Sequence, residues 1–230
     1  LPSQNRLLLA DTVRAATHPD VFLLTGIPRL NEENRPLNSV FLFDHQVGLR
    51  GVYDKRHLVP FGEYVPFRSW IPFLDIISGP ADFVAGTKNH IMAVSGIGQV
   101  QTLICYEVIF AGRVVTRQPR PDLMVNVTND AWFGATIGPW QHLYQSQMRA
   151  AEEGIPLLRV ANTGISAAFD GFGRQLGSIP LGERAYLDIA IPSVLTASVF
   201  ARFGNAGFFA LCLVVFGSAW GFYRREKRKV

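Results

Sequence analysis

The sequence predicts an α/β body of layered sheets followed by a membrane-crossing helix. Three observations predict it. Short, nearly all-apolar runs alternate with helix-patterned segments over most of the 230 residues. Residues 203–223 then carry no charged side chain, and the run is followed at once by RREKRKV.

Taken in order, a helical pattern covers residues 4–17 and a strand-like run, VFLLTGI, covers 21–27. Further strand-like runs are SVFLFD at 39–44, VQTLICY at 100–106 and LMVNVTN at 123–129. LLRVAN at 157–162, SAAFD at 166–170 and YLDIAI at 186–191 complete the set. Apolar runs this continuous are expected of strands covered on both faces. Helical patterns also fall around 108–117 and at 141–153, which gives layered sheets with helices outside them. No internal repeat, low-complexity stretch or interdomain linker stands out. The sequon Asn126-Val127-Thr128 falls inside a predicted strand and is discounted.

A helix rises about 1.5 Å per residue and a bilayer core is about 30 Å thick, so about 20 apolar residues suffice to cross it. Residues 203–223 meet that length, with Trp220 and Tyr223 where an interfacial aromatic belt belongs. The positive-inside rule places the basic tail, residues 224–230, in the cytoplasm and the preceding domain on the other side. The tail holds five basic side chains and one acidic. Of 22 Lys+Arg and 18 Asp+Glu, 17 of each sign therefore remain upstream. The basic excess is a tail and not a patch, which argues against nucleic-acid binding. Two cysteines make no disulfide framework, and no Cys/His group has zinc-ligand spacing. The chain opens on Leu1 without the basic and apolar regions of a signal peptide. An exported domain needs a membrane segment upstream, so a longer parent chain is expected.

Two stretches can carry chemistry. Cys105 ends an apolar strand in LICYEVIF, where a sharp turn exposes a nucleophile on rigid backbone. A helix N-terminus there favours the thiolate, although a small buried strand residue is the commoner state of a lone cysteine. In YDKRHLVPFGEYVPF, residues 53–67, Lys55 ends a strand before an apolar loop. There a fixed positive charge can stabilise an oxyanion, while an ordinary solvated lysine paired with Asp54 or Glu63 remains the plain reading. His57 and His142 would allow a Cys-His dyad, supported by nothing beyond their presence. GIGQ and GFGRQLG match no phosphate-binding spacing and read as turns.

Together YDKRHLVPFGEYVPF, ICYE, NVTNDAWFG and MRAAEEGIPLLRVANTGISAAFD closely resemble the apolipoprotein N-acyltransferase family. That family is the membrane-bound branch of the nitrilase, or carbon–nitrogen hydrolase, superfamily. The resemblance runs from about residue 21 through the terminal apolar segment. It implies a nitrilase-like α-β-β-α sandwich over residues 1–202, a transmembrane helix over 203–223 and a cytoplasmic tail over 224–230. It also implies a Glu-Lys-Cys triad, in which Lys55 matches the lysine and Cys105 the nucleophile. Glu63 matches a further active-site glutamate, Tyr106 and Glu107 the residues that shape the site after the nucleophile, and Trp132 an aromatic lining the acyl-chain entrance.

The family's general-base glutamate lies well upstream of its lysine. Here the acidic residues before Asp54 are Asp11, Asp20, Glu32, Glu33 and Asp44, and none sits in a matching motif. The base and several membrane helices are therefore expected upstream of residue 1, and this chain alone is expected to be inactive. A pseudoenzyme that lost its base is the competing explanation. The resemblance implies acyl transfer from a phospholipid, phosphatidylethanolamine, to the lipidated N-terminal cysteine of an apolipoprotein through a Cys105 thioester. It implies no metal, nucleotide or other cofactor, and a bacterial inner membrane with the catalytic domain on the periplasmic side. The apolar segment 61–74 is expected to meet lipid or to fold back as a lid. A membrane-tethered amidase, with water as acceptor, and a non-catalytic lipid- or lipoprotein-binding module are the alternatives.

Overall fold

The computed structural model describes residues 20–66, 82–87, 91–116, 118–134 and 136–227, with backbone only at 225 and 226. The helix expected over 4–17 and the apolar stretch 67–74 lie outside the described residues. The elements are β1 (Phe22–Gly26), β2 (Arg29–Leu30), β3 (Pro36–Leu37), β4 (Ser39–Asp44), β5 (Leu49–Asp54), β6 (Ile91–Val94), β7 (Gly98–Ile104) and β8 (Leu123–Asn129). They continue with α1 (Gly138–Glu153), β9 (Leu157–Asn162), β10 (Ser166–Phe169), β11 (Gln175–Ile179), α2 (Val199–Phe203) and α3 (Ala206–Lys227).

Two main sheets result. One is three-stranded, β1-β4-β5, antiparallel throughout. The other is six-stranded in the order β11-β10-β9-β8-β7-β6, with β7, β8 and β9 parallel and the outer pairs antiparallel. Period two along the parallel strands assigns their faces. Val100, Ile104, Leu123 and Val125 meet Val40, Leu42 and Tyr53 of the smaller sheet. Leu103, Met124 and Leu157 point the other way, onto Leu143 and Ala150 of α1. The described layers are thus sheet, sheet and helix, mixed α/β as expected. Burying each such aliphatic side chain stabilises the fold by about 1.5–3 kcal/mol.

The helix α1 begins three residues before the expected 141–153 because Pro139 sits in its first turn, where its missing N–H is no loss. It ends at Gly154, whose φ of 68° is left-handed and suits glycine. Two expectations fail. Of the helix expected over 108–117, residues 108–116 form no α-helix: a 3₁₀ turn, Cys105–Ile109, is followed by turns in which Gly112 has φ 71°. Residues 186–191 form no strand: they join no sheet among the described residues, and Leu187 and Ile189 pack by their side chains over Gly177 of β11, where an added Cβ would meet them at 3.1–3.2 Å. The apolar run near the C-terminus is helical as α3, about 33 Å long at 1.5 Å per residue over its 22 residues. Phe208, Leu213, Phe216 and Phe222 on it are exposed, and 19 of its residues are long and apolar enough to cross a membrane.

Candidate functional site

Lys55 follows β5 at the edge of the smaller sheet. Its N–H donates to the Asn38 carbonyl at 2.8 Å, and its own carbonyl accepts from Gly86 at 2.8 Å. A Cβ on Gly86 would stand 2.2 Å from the Asp54 carbonyl oxygen, so only glycine lets these segments approach. The chain then turns tightly through Val59–Glu63, and the turn brings Glu63 back onto the lysine. Lys55 Nζ donates to Glu63 Oε2 at 2.6 Å, with the lysine side chain 1% exposed. Glu63 also accepts from Val59 N–H at 2.8 Å and from Asn38 Nδ2 at 3.1 Å. An ammonium carries three N–H donors, so the pair leaves two for other acceptors.

Glu107 is the second buried carboxylate, and it joins two segments far apart in sequence. Its Oε1 accepts from Tyr53 Oη at 2.7 Å, from Arg56 N–H at 2.9 Å and from His57 N–H at 3.1 Å. Its Oε2 accepts from Ile104 N–H at 2.8 Å. One side chain therefore ties the residues beside Lys55 to the turn that carries Cys105. Burial, then the neighbouring Glu107 charge and hydrogen bond, push the Tyr53 phenol well above its ordinary value, so it stays a donor.

Cys105 leaves β7 with φ 50°, a left-handed conformation that a non-glycine residue rarely adopts. Such a backbone costs about 1–3 kcal/mol and needs surroundings that fix it. The fixing is visible at its carbonyl, which accepts from Asn126 Nδ2 at 3.2 Å and lies 3.2 Å from His142 Nε2. At about 0.5–1.5 kcal/mol net each, two such bonds are of the size required. The strand expected over 100–106 stops at Ile104 for this reason.

Behind the turn lies a polar cluster between β8, β9 and α1. Register pairs Asn126 with Arg159, and period two aims both at the helix. Arg159 donates to Asn126 Oδ1 at 2.7 Å, Asp130 Oδ2 at 2.5 Å, Ser146 Oγ at 3.2 Å and the Ile165 carbonyl at 3.2 Å. His142 Nδ1 is 3.0 Å from Asp130 Oδ1 and 3.1 Å from Arg159 Nη2. Burial alone would raise the Asp130 carboxyl, but the His142 contact and the Arg159 charge outweigh it and hold it below the usual range.

The remaining expected residues fall into two places. Tyr106 packs its ring 5.2 Å from that of His142 and 6.1 Å from that of Phe133, beside an open cleft of about 450 Å³. Trp132, in the turn Asp130–Phe133, is 80% exposed and does not line that cleft. His57 packs against Phe110 with the rings tilted by 37° and gives its N–H to Glu107, and His142 meets the carbonyl of Cys105 instead of its sulfur. Asn126 is fully buried, so its sequon is unavailable. Among the described residues, no group of three His, Cys, Asp or Glu side chains converges as a metal site.

Asn126, Asp130 and Arg159 were not singled out from sequence. For Asn126 and Arg159 the signal is a polar residue on the helix-facing side of an otherwise apolar strand, readable once that side is known, whereas Asp130 sits in the turn after β8.

A family model for carbon–nitrogen hydrolases matches residues 5–199. The chain is 42% identical over 202 residues to an apolipoprotein N-acyltransferase of Bradyrhizobium diazoefficiens, covering 86% of this chain and 36% of that one. It is 35% identical to another from Haemophilus ducreyi, covering 100% of this chain and 46% of that one. The chain thus spans about a third to a half of the length of these relatives. In fold it is similar to a nitrilase-superfamily protein of Saccharomyces cerevisiae, with TM-score 0.59 at 16% identity over 80% of this chain and 64% of that one. A carbon–nitrogen hydrolase from Helicobacter pylori gives TM-score 0.57 at 13% identity over 77% of this chain and 63% of that one. On the family match, the nitrilase-like fold and the likeness to curated acyltransferases, this chain belongs to the carbon–nitrogen hydrolase family.

Proposed function

We propose that the chain carries the nucleophile and oxyanion-holding part of an apolipoprotein N-acyltransferase. The observation that carries the reading is the Glu107 carboxylate, which fastens the Cys105 turn to the Arg56 and His57 amides beside Lys55. It brings a strand-end thiol and a buried ammonium into one rigid unit. Likeness to curated acyltransferases supports this donor and acceptor chemistry over others.

In the first half-reaction the Cys105 sulfur, its proton taken by a general base, attacks an ester carbonyl of a phospholipid. The C–S bond forms, and the oxyanion is held by Lys55 Nζ and the Tyr106 N–H. The C–O bond then breaks and lysophospholipid leaves, its oxygen protonated by the same base acting as acid. In the second half, the α-amine of a diacylglyceryl cysteine at the N-terminus of an apolipoprotein attacks the thioester. The C–N bond forms, the C–S bond breaks and the thiol is regenerated. Phosphatidylethanolamine is the proposed donor. Glu63 orients Lys55, Glu107 and Tyr106 shape the turn, and Trp132 stands at the acyl-chain entrance.

The proposed base is a glutamate of a longer parent chain, so this chain alone is inactive. The helix α3 crosses the bacterial inner membrane with its basic end in the cytoplasm and the catalytic domain on the periplasmic side. Arg224 over the Trp220 ring at 5.2 Å and Lys227 over Tyr223 at 5.2 Å suit that interface.

Incubating the full-length protein with phosphatidylethanolamine vesicles and a diacylated lipopeptide tests the reading. N-acylated peptide is the expected product. Free fatty acid without acylated peptide would assign water as the acceptor. Lipid binding with no Cys105 thioester would leave a binding module.

A further inference from the structure

We propose that Asn126, Asp130, His142 and Arg159 form a positioning device for the nucleophile. Asn126 and His142 grip the main-chain carbonyl of Cys105, Asp130 and Arg159 hold those two in place, and the left-handed turn that aims the thiol and the following N–H is fixed as a result. The proposal rests on Cys105 being the nucleophile, and it assigns the cluster a role in rate.

The chemistry of the atoms leaves little choice. A carbonyl oxygen only accepts, so His142 Nε2, 3.2 Å away, carries a hydrogen and spends it there. The ring is consequently no base for the thiol. Asn126 Nδ2 donates to the same oxygen at 3.2 Å. Behind them, Arg159 donates to four acceptors, and its Nη2 also lies 3.1 Å from His142 Nδ1. The four are the Ile165 carbonyl, Asn126 Oδ1, Ser146 Oγ and Asp130 Oδ2. Asp130 Oδ1 takes the Thr128 hydroxyl at 3.0 Å and stands 3.0 Å from His142 Nδ1.

The geometry is over-determined as a result. Asn126 from β8 and His142 from α1 meet at one carbonyl, and Arg159 from β9 holds both of them from behind. His142 and Arg159 are 2% and 1% exposed, which removes water as a competing partner. A strained residue at a strand end keeps its conformation only when its surroundings dictate it. If the carbonyl were released, Cys105 could relax toward negative φ, and sulfur and amide would turn away from the acyl carbon together. A misplacement of about 1 Å in a reacting group can cost about 100-fold in rate.

The test compares two amides at one position in the full-length protein. In His142→Gln the amide nitrogen reaches about as far as Nε2 did. In His142→Asn it stops near the place of Nδ1, short of the Cys105 carbonyl. Single-turnover acylation by p-nitrophenyl butyrate is followed as a nitrophenolate burst and located at Cys105 by peptide mass. The expected rates are within about 10-fold of the parent for Gln and about 100-fold lower for Asn, at an unchanged half-saturating ester concentration. Equal rates for the two variants, or a loss confined to half-saturation, would overturn the proposal. Asn126→Asp gives an independent arm, since it keeps the acceptor for Arg159 and removes the donor to Cys105. It is expected to slow acylation by a similar order, and an unchanged rate contradicts the proposal. If ester acylation follows this pattern while phospholipid gives no thioester, the lipid assignment fails and the positioning role stands.

Discussion

Tyr53 donates its phenolic hydrogen to Glu107 at 2.7 Å across 54 residues of sequence, inside the fold. The pair joins the strand that ends at Lys55 to the turn that begins at Cys105. Among the described residues Glu107 receives four donors, which makes it a fixed acceptor between the two segments.

Removing one donor isolates that role. Tyr53→Phe leaves a buried carboxylate with three partners and is expected to lower stability by about 1–2 kcal/mol. Glu107→Gln forces an amide NH₂ against a backbone N–H and is expected to cost more, about 2–4 kcal/mol. Thermal unfolding followed by circular dichroism measures both, and the order Gln worse than Phe is the expected result.

At the lysine, Lys55→Met keeps the length of the chain but removes the charge held by Glu63. Loss of an oxyanion donor typically costs about 10²–10³ in rate. Acyl-thioester formation in the full-length protein is expected to fall by at least that much, with lipid binding unchanged. Glu63→Gln leaves an acceptor for the ammonium and is expected to lose less.

A pH dependence follows from Asp130. Its carboxyl is held below the usual range in the folded protein, with burial opposing and the His142 contact and Arg159 charge prevailing. A depressed carboxyl contributes stability that is fully present above the unfolded value, about 3.9, and is lost as pH falls through the folded one. Melting temperature is expected to drop between about pH 4 and pH 2. Asp130→Asn should begin lower and respond less over the same range. A parallel fall in both proteins would place the acid sensitivity elsewhere.

How far the sequence carried the account can be judged at particular residues. Strands β4, β8 and β9 were legible because each is a short, mostly apolar run, as strands packed in layers tend to be. Cys105 at a strand end was legible for the same reason. Its positive φ was not, since nothing in the residue type demands it and two distant side chains, Asn126 and His142, hold it. Arg159 was missed because arginine is almost never fully buried unless paired, and its partners lie 29 and 33 residues away. The false helix at 108–117 arose where Val108 and Val114 are buried by packing alone, without helical periodicity to place them.

For α3 the proposal of a membrane crossing makes its own demand. Leu213→Arg places a charge near the middle of the apolar span, which costs about 2.5–3.5 kcal/mol in insertion. Carbonate extraction of membranes should release more of this variant than of the parent. Equal retention would speak against a crossing by this helix.

The central claim is that Cys105 carries an acyl group between two substrates. The full-length protein is exposed to phosphatidylethanolamine vesicles without acceptor, digested, and the Cys105 peptide weighed before and after hydroxylamine. The account predicts an acyl mass increment on that peptide that hydroxylamine removes and a lipopeptide acceptor discharges. Acylated lipopeptide forming while the Cys105 peptide never gains mass, or gains it without discharge, would contradict the account.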